Sequence, residues 1–234
     1  MKLGRRTTQI FAFVLDELLP PILRDMYWFM WPIQWLLFRD RTRHFMDFKE
    51  KAPYIGPGRV RKIYEQTAHV HLQRETDLNS ACLAAVEEAV EGEQVLEVGC
   101  GRGFLAKRLA KRFRVTGVDF ILDPKLTQGM REVTLVRADI DKLPFCENSF
   151  DTVICTHTLE HVINLPIAMS QLRQIARRRL IVVVPLQRPY KYTFDLHVQF
   201  FPYPHSFLIQ SGIAKGKVSA TRIGGELFYV EDFP

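Results

Sequence analysis

Residues 95–103, VLEVGCGRG, constrain this chain more than any other stretch, because they set an acid and three glycines where a buried strand gives way to a helix. Val95, Leu96 and Val98 read as strand and Glu97 stands at its end. Residues 104–112 (FLAKRLAKR) carry Leu105 and Leu109 four apart, at helical spacing. Gly99, Gly101 and Gly103 let the backbone turn sharply and approach a ligand with no Cβ in the way. Such a corner is a nucleotide-binding device, and its spacing narrows the ligand. A dinucleotide fingerprint, GxGxxG counted from Gly99, needs glycine at 104, where Phe104 stands.

An adenosine lying across strand ends needs acceptors for its hydroxyls and its amine, and acids recur where they are needed. Residues 114–119 (RVTGVD) read as a second strand ending in Asp119, about 20 residues beyond the glycines, the spacing of an acid on ribose hydroxyls. Residues 133–138 (VTLVRA) read as a third strand, followed by Asp139. Residues 143–160 (LPFCENSFDTVICTHTLE) give a loop, a strand over 152–156 and the start of a helix. Residues 167–176 read as helix, and 179–184 (RLIVVV) as a fifth strand stopped by Pro185. Residues 217–223 and 226–230 are two strand-like runs joined by Gly224-Gly225, a two-residue hairpin signal.

The GxGxG corner behind an acid, together with the LPF, SFDTV and LEHV runs in that order, resembles the class I S-adenosylmethionine (SAM) methyltransferases of type 11, the group that includes quinone-biosynthetic enzymes. The resemblance covers roughly residues 79–230. It implies an α/β fold, a doubly wound Rossmann-like sheet of seven strands in the order 3-2-1-4-5-7-6 with strand seven antiparallel. It implies S-adenosylmethionine as cofactor, bound at Glu97, Gly99, Cys100, Gly101, Gly103, Asp119, Phe120, Asp139, Ile140 and Thr156, with Asp139 and the backbone at Ile140 on the adenine edge. The connection over 120–132 is short and holds Pro124 and Gly129, so the usual second helix is expected to shrink to a turn or two.

Ahead of this domain, expected over 78–234, the chain carries a helical extension over 1–50 and a linker over 51–77. Residues 10–19 have apolar positions at 10, 11, 14, 15, 18 and 19, an amphipathic helical face that Pro20-Pro21 ends. Residues 26–38 (MYWFMWPIQWLLF) hold all three tryptophans, Trp28, Trp31 and Trp35, flanked by Lys2, Arg5, Arg6 and by Arg39, Arg41, Arg43. Neither run reaches the about 20 residues a span needs, and joining them buries Arg24 and Asp25, so a spanning helix is not expected. A signal peptide is disfavoured by Asp16 and Glu17. Two readings stay open for residues 10–43, a helix lying on a membrane surface and a lid or subunit interface. The linker's Pro53, Gly56, Pro57 and Gly58 are breakers, and its Tyr54 and Tyr64 read more simply as packing aromatics than as a cofactor cover.

Charge is uneven. Residues 1–65 carry 12 Lys and Arg against 7 Asp and Glu, and residues 66–234 carry 20 against 19, so the domain is nearly neutral and nucleic acid is a poor partner. The basic runs at 107–114 and 177–179 read as solvated helix faces and ends. The places where adenine-amino and cytosine-carbon methylating enzymes resemble one another, a [DNS]-P-P-[YFW] loop and a Pro-Cys nucleophile, read here as THTL and lack the cysteine. Cys82, Cys100, Cys146 and Cys155 form no C-x-x-C pair and read as reduced thiols of a cytoplasmic protein.

Methyl transfer needs alignment and water exclusion, and a hydroxyl or acidic-carbon acceptor also needs its proton removed. The histidines expected at the carboxyl edge of the sheet are His157, His161, His197 and His205; His157 and His197 are the candidates for the base, with Tyr192 and Asp195 as neighbours. Phe194, Phe200, Phe201 and Tyr203 suit an apolar acceptor. The H-x-x-E-H of His157, Glu160 and His161 spells an inverted zinc-protease motif, but it follows a parallel strand and is explained by LEHV, so no metal is expected. The expected function is methyl transfer from S-adenosylmethionine to a small or lipid-like acceptor. The alternative is a SAM-binding non-catalytic subunit that partners a membrane protein through residues 28–35. Which atom is methylated and how many subunits assemble are not legible.

Overall fold

The computed structural model describes residues 14, 18–56, 58–60, 62–64, 75–122, 130–192 and 194–234. The chain divides into two compact units, residues 1–73 with 187–202, and residues 74–186 with 203–234. The amphipathic run over 10–19 and the shortened connection over 123–129 lie outside the described residues.

In the first unit, Pro21 stands at the start of a helix. It opens the one-turn helix Pro21–Arg24, as proline with its preset φ can at a first helical position. Helix α1 (Tyr27–Phe38) and helix α2 (Thr42–Lys51) follow, hinged at Arg39, which takes φ 50. Met30 and Gln34, one turn apart, form the inward face of α1, and Met30 packs with Met46 of α2 and with Tyr192. Phe38 stacks on Phe45 with centroids 3.8 Å apart, and Phe45, Phe48 and Ala52 close on Leu196. The segment 187–202 is thus part of the core of these helices. Trp28, Trp31 and Trp35, at i, i+3 and i+7, share the opposite face, where Trp28 is 83% exposed. Among the described residues no helix is long and apolar enough to cross a membrane.

The second unit is built on seven strands: β1 (Gln94–Val98), β2 (Arg114–Asp119), β3 (Val133–Arg137), β4 (Phe150–Thr156), β5 (Ala176–Pro185), β6 (Lys217–Ile223) and β7 (Glu226–Asp232). Their order is β3-β2-β1-β4-β5-β7-β6, with β1 to β5 parallel and β7 antiparallel to both neighbours. The hairpin between β6 and β7 turns on Gly224 and Gly225, whose φ of 57 and 92 is the double positive pattern of a tight right-twisted turn. Among the described residues four helices flank the sheet: α3 (Ser80–Ala89), α4 (Phe104–Leu109), α5 (Leu165–Ile175) and α6 (Pro204–Gln210). The Asn79 and Asn164 side chains cap α3 and α5 by accepting from the Cys82 and Ile167 amides. The core joins Cys82 and Val86 of α3, Leu105 and Leu109 of α4, and Val95, Ile154 and Ile181 of the sheet.

Two polar anchors hold the sheet at its other edge. Asp151 sits at a register shift of β4, where its Oδ2 accepts from the Glu93 and Gln94 amides at 2.9 and 3.0 Å, and Arg177 pairs with its Oδ1. Arg179 reaches Asp232 at 2.6 Å and Glu91 at 2.7 Å. The run 177–179, expected on a helix end in solvent, therefore lies on β5 and is engaged, because the strand begins three residues earlier than its apolar part. The second anchor is the buried group of Arg173, Glu231 and Tyr229, in which Arg173 Nε donates to Glu231 Oε2 at 2.8 Å and Arg173 Nη1 to the Ser211 carbonyl at 2.7 Å. Glu231 Oε1 also accepts from the Lys215 and Gly216 amides, which satisfies the charge it buries.

Candidate active site

Glycine is required at the β1 to α4 corner for different reasons at each position. Gly99, Gly101 and Gly103 take φ of 78, 50 and 68, left-handed values that cost other residues about 1–2 kcal/mol. A Cβ on Gly99 would lie 1.9 Å from Thr158 Oγ1, and one on Gly103 1.8 Å from Met130 Cε. A Cβ on Gly101 meets nothing within 4 Å. Gly99 and Gly103 thus serve packing, and Gly101 alone of the three faces open space. The Gly99 and Cys100 amides donate to the Val118 carbonyl at 2.8 and 3.0 Å, which ties the loop to the end of β2. Cys100 turns its sulfur toward Gly117 and is buried, which drives its thiol above its ordinary range, with Glu97 and Asp119 adding to the effect. Only its backbone remains for a ligand.

Two carboxylates border this corner. Asp119 accepts from the Gly101 amide at 2.8 Å through Oδ2 and from the Ile121 amide at 2.9 Å through Oδ1. Burial nevertheless raises its pKa, against the opposing effect of these amides. Glu97 lies between Gly117 of β2 and Ile154 of β4 and is 3% exposed. Its carboxyl accepts from the Ala106 amide in the first turn of α4, while its Oε2 is buried with no hydrogen-bond partner. Burial lifts it to about 8; Asp119 acts in the same direction and the Ala106 amide against it.

The remaining sequence-selected residues line the same edge. The Ala138 amide donates to the Asp119 carbonyl at 3.2 Å, and Asp139 follows, holding its own turn by accepting from the Asp141 amide at 3.1 Å. Asp139 is exposed and Ile140 half-buried. The Phe120 carbonyl accepts from Arg137 Nε at 3.2 Å, and the Thr156 carbonyl from Thr158 Oγ1 at 3.0 Å. The structure thus brings the ends of β3, β2, β1 and β4 together, carrying Asp139, Asp119, Glu97 and Thr156. The Glu97 oxygen without a partner and the open face of Gly101 fit a cationic adenosyl ligand; the thiol of Cys100 does not point to one. Thr158 and Met130, which back the two packing glycines, carry no sequence signal of that role.

The histidines fare differently. His157 follows β4 with φ 48 and sets Nδ1 3.3 Å from Glu160 Oε1 and Nε2 3.5 Å from Glu226 Oε1. Burial opposes its charge, but the two carboxylates outweigh it and lift the imidazole to about 10. The two carboxylates thus favour the imidazolium, the form without a proton-accepting nitrogen. Glu160 and His161 lie on a single 3₁₀ turn, Leu159–His161, so the H-x-x-E-H residues do not share an α-helix. His197 Nδ1 lies 2.9 Å from Gln187 Oε1, and Gln187 Nε2 donates to Tyr190 Oη at 2.7 Å. The Tyr190 ring is faced by Arg24 at 5.6 Å and Lys49 at 4.7 Å. His205 is exposed and stacks on Tyr203 at 5.3 Å. Tyr192 and Phe201 are buried, Phe194 packs on the Met30 cluster and Phe200 lies under Lys49, so these aromatics do not form one wall. Tyr64 packs edge-on against Phe48 at 6.2 Å, while Tyr54 is 88% exposed. A recess of about 460 Å³ lined by Arg173, Leu208, Ile209, Ile213 and Tyr229 shares no residue with the glycine corner, and its polar groups belong to the Glu231 anchor.

The strand order β3-β2-β1-β4-β5-β7-β6, with β7 antiparallel, is that of the class I SAM-dependent methyltransferase fold. Residues 96–184 match the family model described as methyltransferase domain. A 2-phytyl-1,4-naphtoquinone methyltransferase of Trichormus variabilis is 29% identical over 126 residues, 48% of this chain and 55% of the relative. The mitochondrial arginine-hydroxylase NDUFAF5 of Mus musculus is 33% identical over 87 residues, 35% of this chain and 25% of the relative. A fatty-acid O-methyltransferase of Mycolicibacterium smegmatis is 30% identical over 135 residues, 52% of this chain and 47% of the relative. The chain therefore spans a quarter to about half of the length of these relatives. A SAM-dependent methyltransferase of Thermotoga maritima, described as a possible histamine N-methyltransferase, superposes with a TM-score of 0.53 at 20% identity, covering 74% of this chain and 96% of that one, which establishes the common fold.

Proposed function

We propose that the chain transfers a methyl group from S-adenosylmethionine to a quinone-like or fatty-acid-like acceptor at the surface of an anionic membrane. The observation that carries the reading is the Gly101 corner, open to a ligand and bordered by Glu97 and Asp119 at the carboxyl ends of adjacent parallel strands. The cofactor, when bound, supplies a methyl carbon already activated by its sulfonium. Around it the loop backbone at 99–103 packs against the ligand, Asp119 takes ribose hydroxyls, Asp139 and Ile140 hold the adenine edge, and Glu97 answers positive charge. Against its burial, Glu160 and Glu226 favour the charged form of His157, which counts against it as the acceptor's base.

Quinone and fatty-acid acceptors are named for two of the relatives, and the membrane reading agrees with them in chemistry. Its support within this chain is the outward face of α1. Trp28, Trp31, Trp35 and Leu36 are exposed, and Arg39 lies 4.5 Å from the Trp35 ring. Indole rings beside arginine suit the headgroup region, where each cation contributes about 1 kcal/mol with anionic lipid. The test is transfer of tritiated methyl from S-adenosylmethionine to extracted lipids and quinone precursors, with the products separated into lipid, small-molecule, protein and nucleic-acid fractions. Label in the lipid fraction is expected. Cofactor uptake without S-adenosylhomocysteine would identify a binding subunit instead.

A further inference from the structure

Among the described residues no cation answers the buried acid at the end of β1. Glu97 is walled by Gly117 of β2 and Ile154 of β4, meets the Ala106 amide of α4 with one oxygen, and keeps Oε2 buried without a hydrogen-bond partner. The ionisable groups that act with it are Asp119 from β2, Cys100 from the glycine loop and Cys155 from β4. Of these Asp119 resists a negative charge at Glu97, while the two thiols, raised by burial and by Glu97 itself, stay uncharged and offer it no compensation. The ligand implied for this corner is cationic, since its sulfonium and ammonium outnumber its one carboxylate.

We propose that Glu97 is protonated in the cofactor-free protein at neutral pH and gives up that proton when S-adenosylmethionine binds, so that cofactor capture is coupled to proton release. The inference rests on the cofactor site and not on the identity of the acceptor. With burial lifting Glu97 to about 8, only the ionised minority is ready to bind near neutrality. Cofactor affinity then rises about tenfold for each pH unit below 8 and levels off above it.

Calorimetric titration of the full chain with S-adenosylmethionine at about pH 7, in phosphate and in Tris buffer, reads the coupling directly, because the heat of taking up a released proton differs between the two buffers. The expected result is close to one proton released at about pH 7, falling to none at about pH 9.5, with the buffer dependence absent from Glu97→Gln. Equal heats in the two buffers for the wild-type chain would overturn the proposal, and so would a buffer dependence that survives in Glu97→Gln. Should that variant not fold, infrared spectroscopy of the wild-type chain replaces it. A protonated carboxyl stretch is expected in the free protein and lost on cofactor addition; its absence before addition refutes the proposal. A chain that takes up no S-adenosylmethionine at any pH instead refutes the cofactor site itself.

Discussion

Three glycines with one conformational habit carry out two tasks, close packing at 99 and 103 and an open face at 101, and substitution separates them. Alanine at 99 faces Thr158, a β-branched side chain tied back to the Thr156 carbonyl, and has no room to be accommodated. Gly99→Ala is expected to cost about 2–4 kcal/mol of stability, from the left-handed backbone and overpacking together. Gly101→Ala keeps only the backbone cost of about 1–2 kcal/mol, yet its methyl occupies the open side of the loop and lowers SAM affinity by about tenfold or more. Thermal melts and cofactor titration of the two variants check this. The motif residues were legible because each occupies a fixed place relative to a strand end. Thr158, Met130, Gln187 and Glu226 were not, because their roles come from neighbours distant in sequence, and spacing carries no record of such contacts.

Elements were read from periodicity, and the strands held while their ends moved. β4 begins at Phe150 and β5 at Ala176, ahead of their apolar stretches, because ladder pairing extends a strand past the residues that bury. The extended ends carry charges that couple stability to pH in opposite directions. Burial works against the Asp151 charge, but the Gln94 amide, Arg177 and the Glu93 amide outweigh it and bring the carboxyl to about 2. Its contribution is therefore complete above about pH 4, declines as pH falls and is gone near 2. His157, raised to about 10, contributes fully below about pH 6.5 and loses that contribution as pH rises through 10. Denaturant unfolding across this range is expected to show both limbs, with Asp151→Asn flattening the acid one and His157→Gln the alkaline one.

For the molecule as a whole, the membrane binding proposed for the outward tryptophan face of α1 is a surface property that salt and substitution should alter separately. Sedimentation with anionic vesicles is expected to fall on replacing Trp28, Trp31 and Trp35 with alanine, and to weaken for the wild type as salt screens its arginines, with neutral vesicles bound less. Binding unchanged by the triple substitution would remove the membrane reading. The amino-acid order alone determined the strands and the acid-bordered glycine corner, since those follow from local patterns: strand and helix periods, turn glycines, and acids at strand ends; the order of the strands was implied only by the family resemblance those motifs carry. Which glycine faces a ligand, which histidine two carboxylates hold, and that residues 187–202 complete the core of the N-terminal helices were decided only by tertiary structure. Burial and charge at a side chain are sums over neighbours brought in from distant parts of the chain, and those sums exist only once the chain has folded.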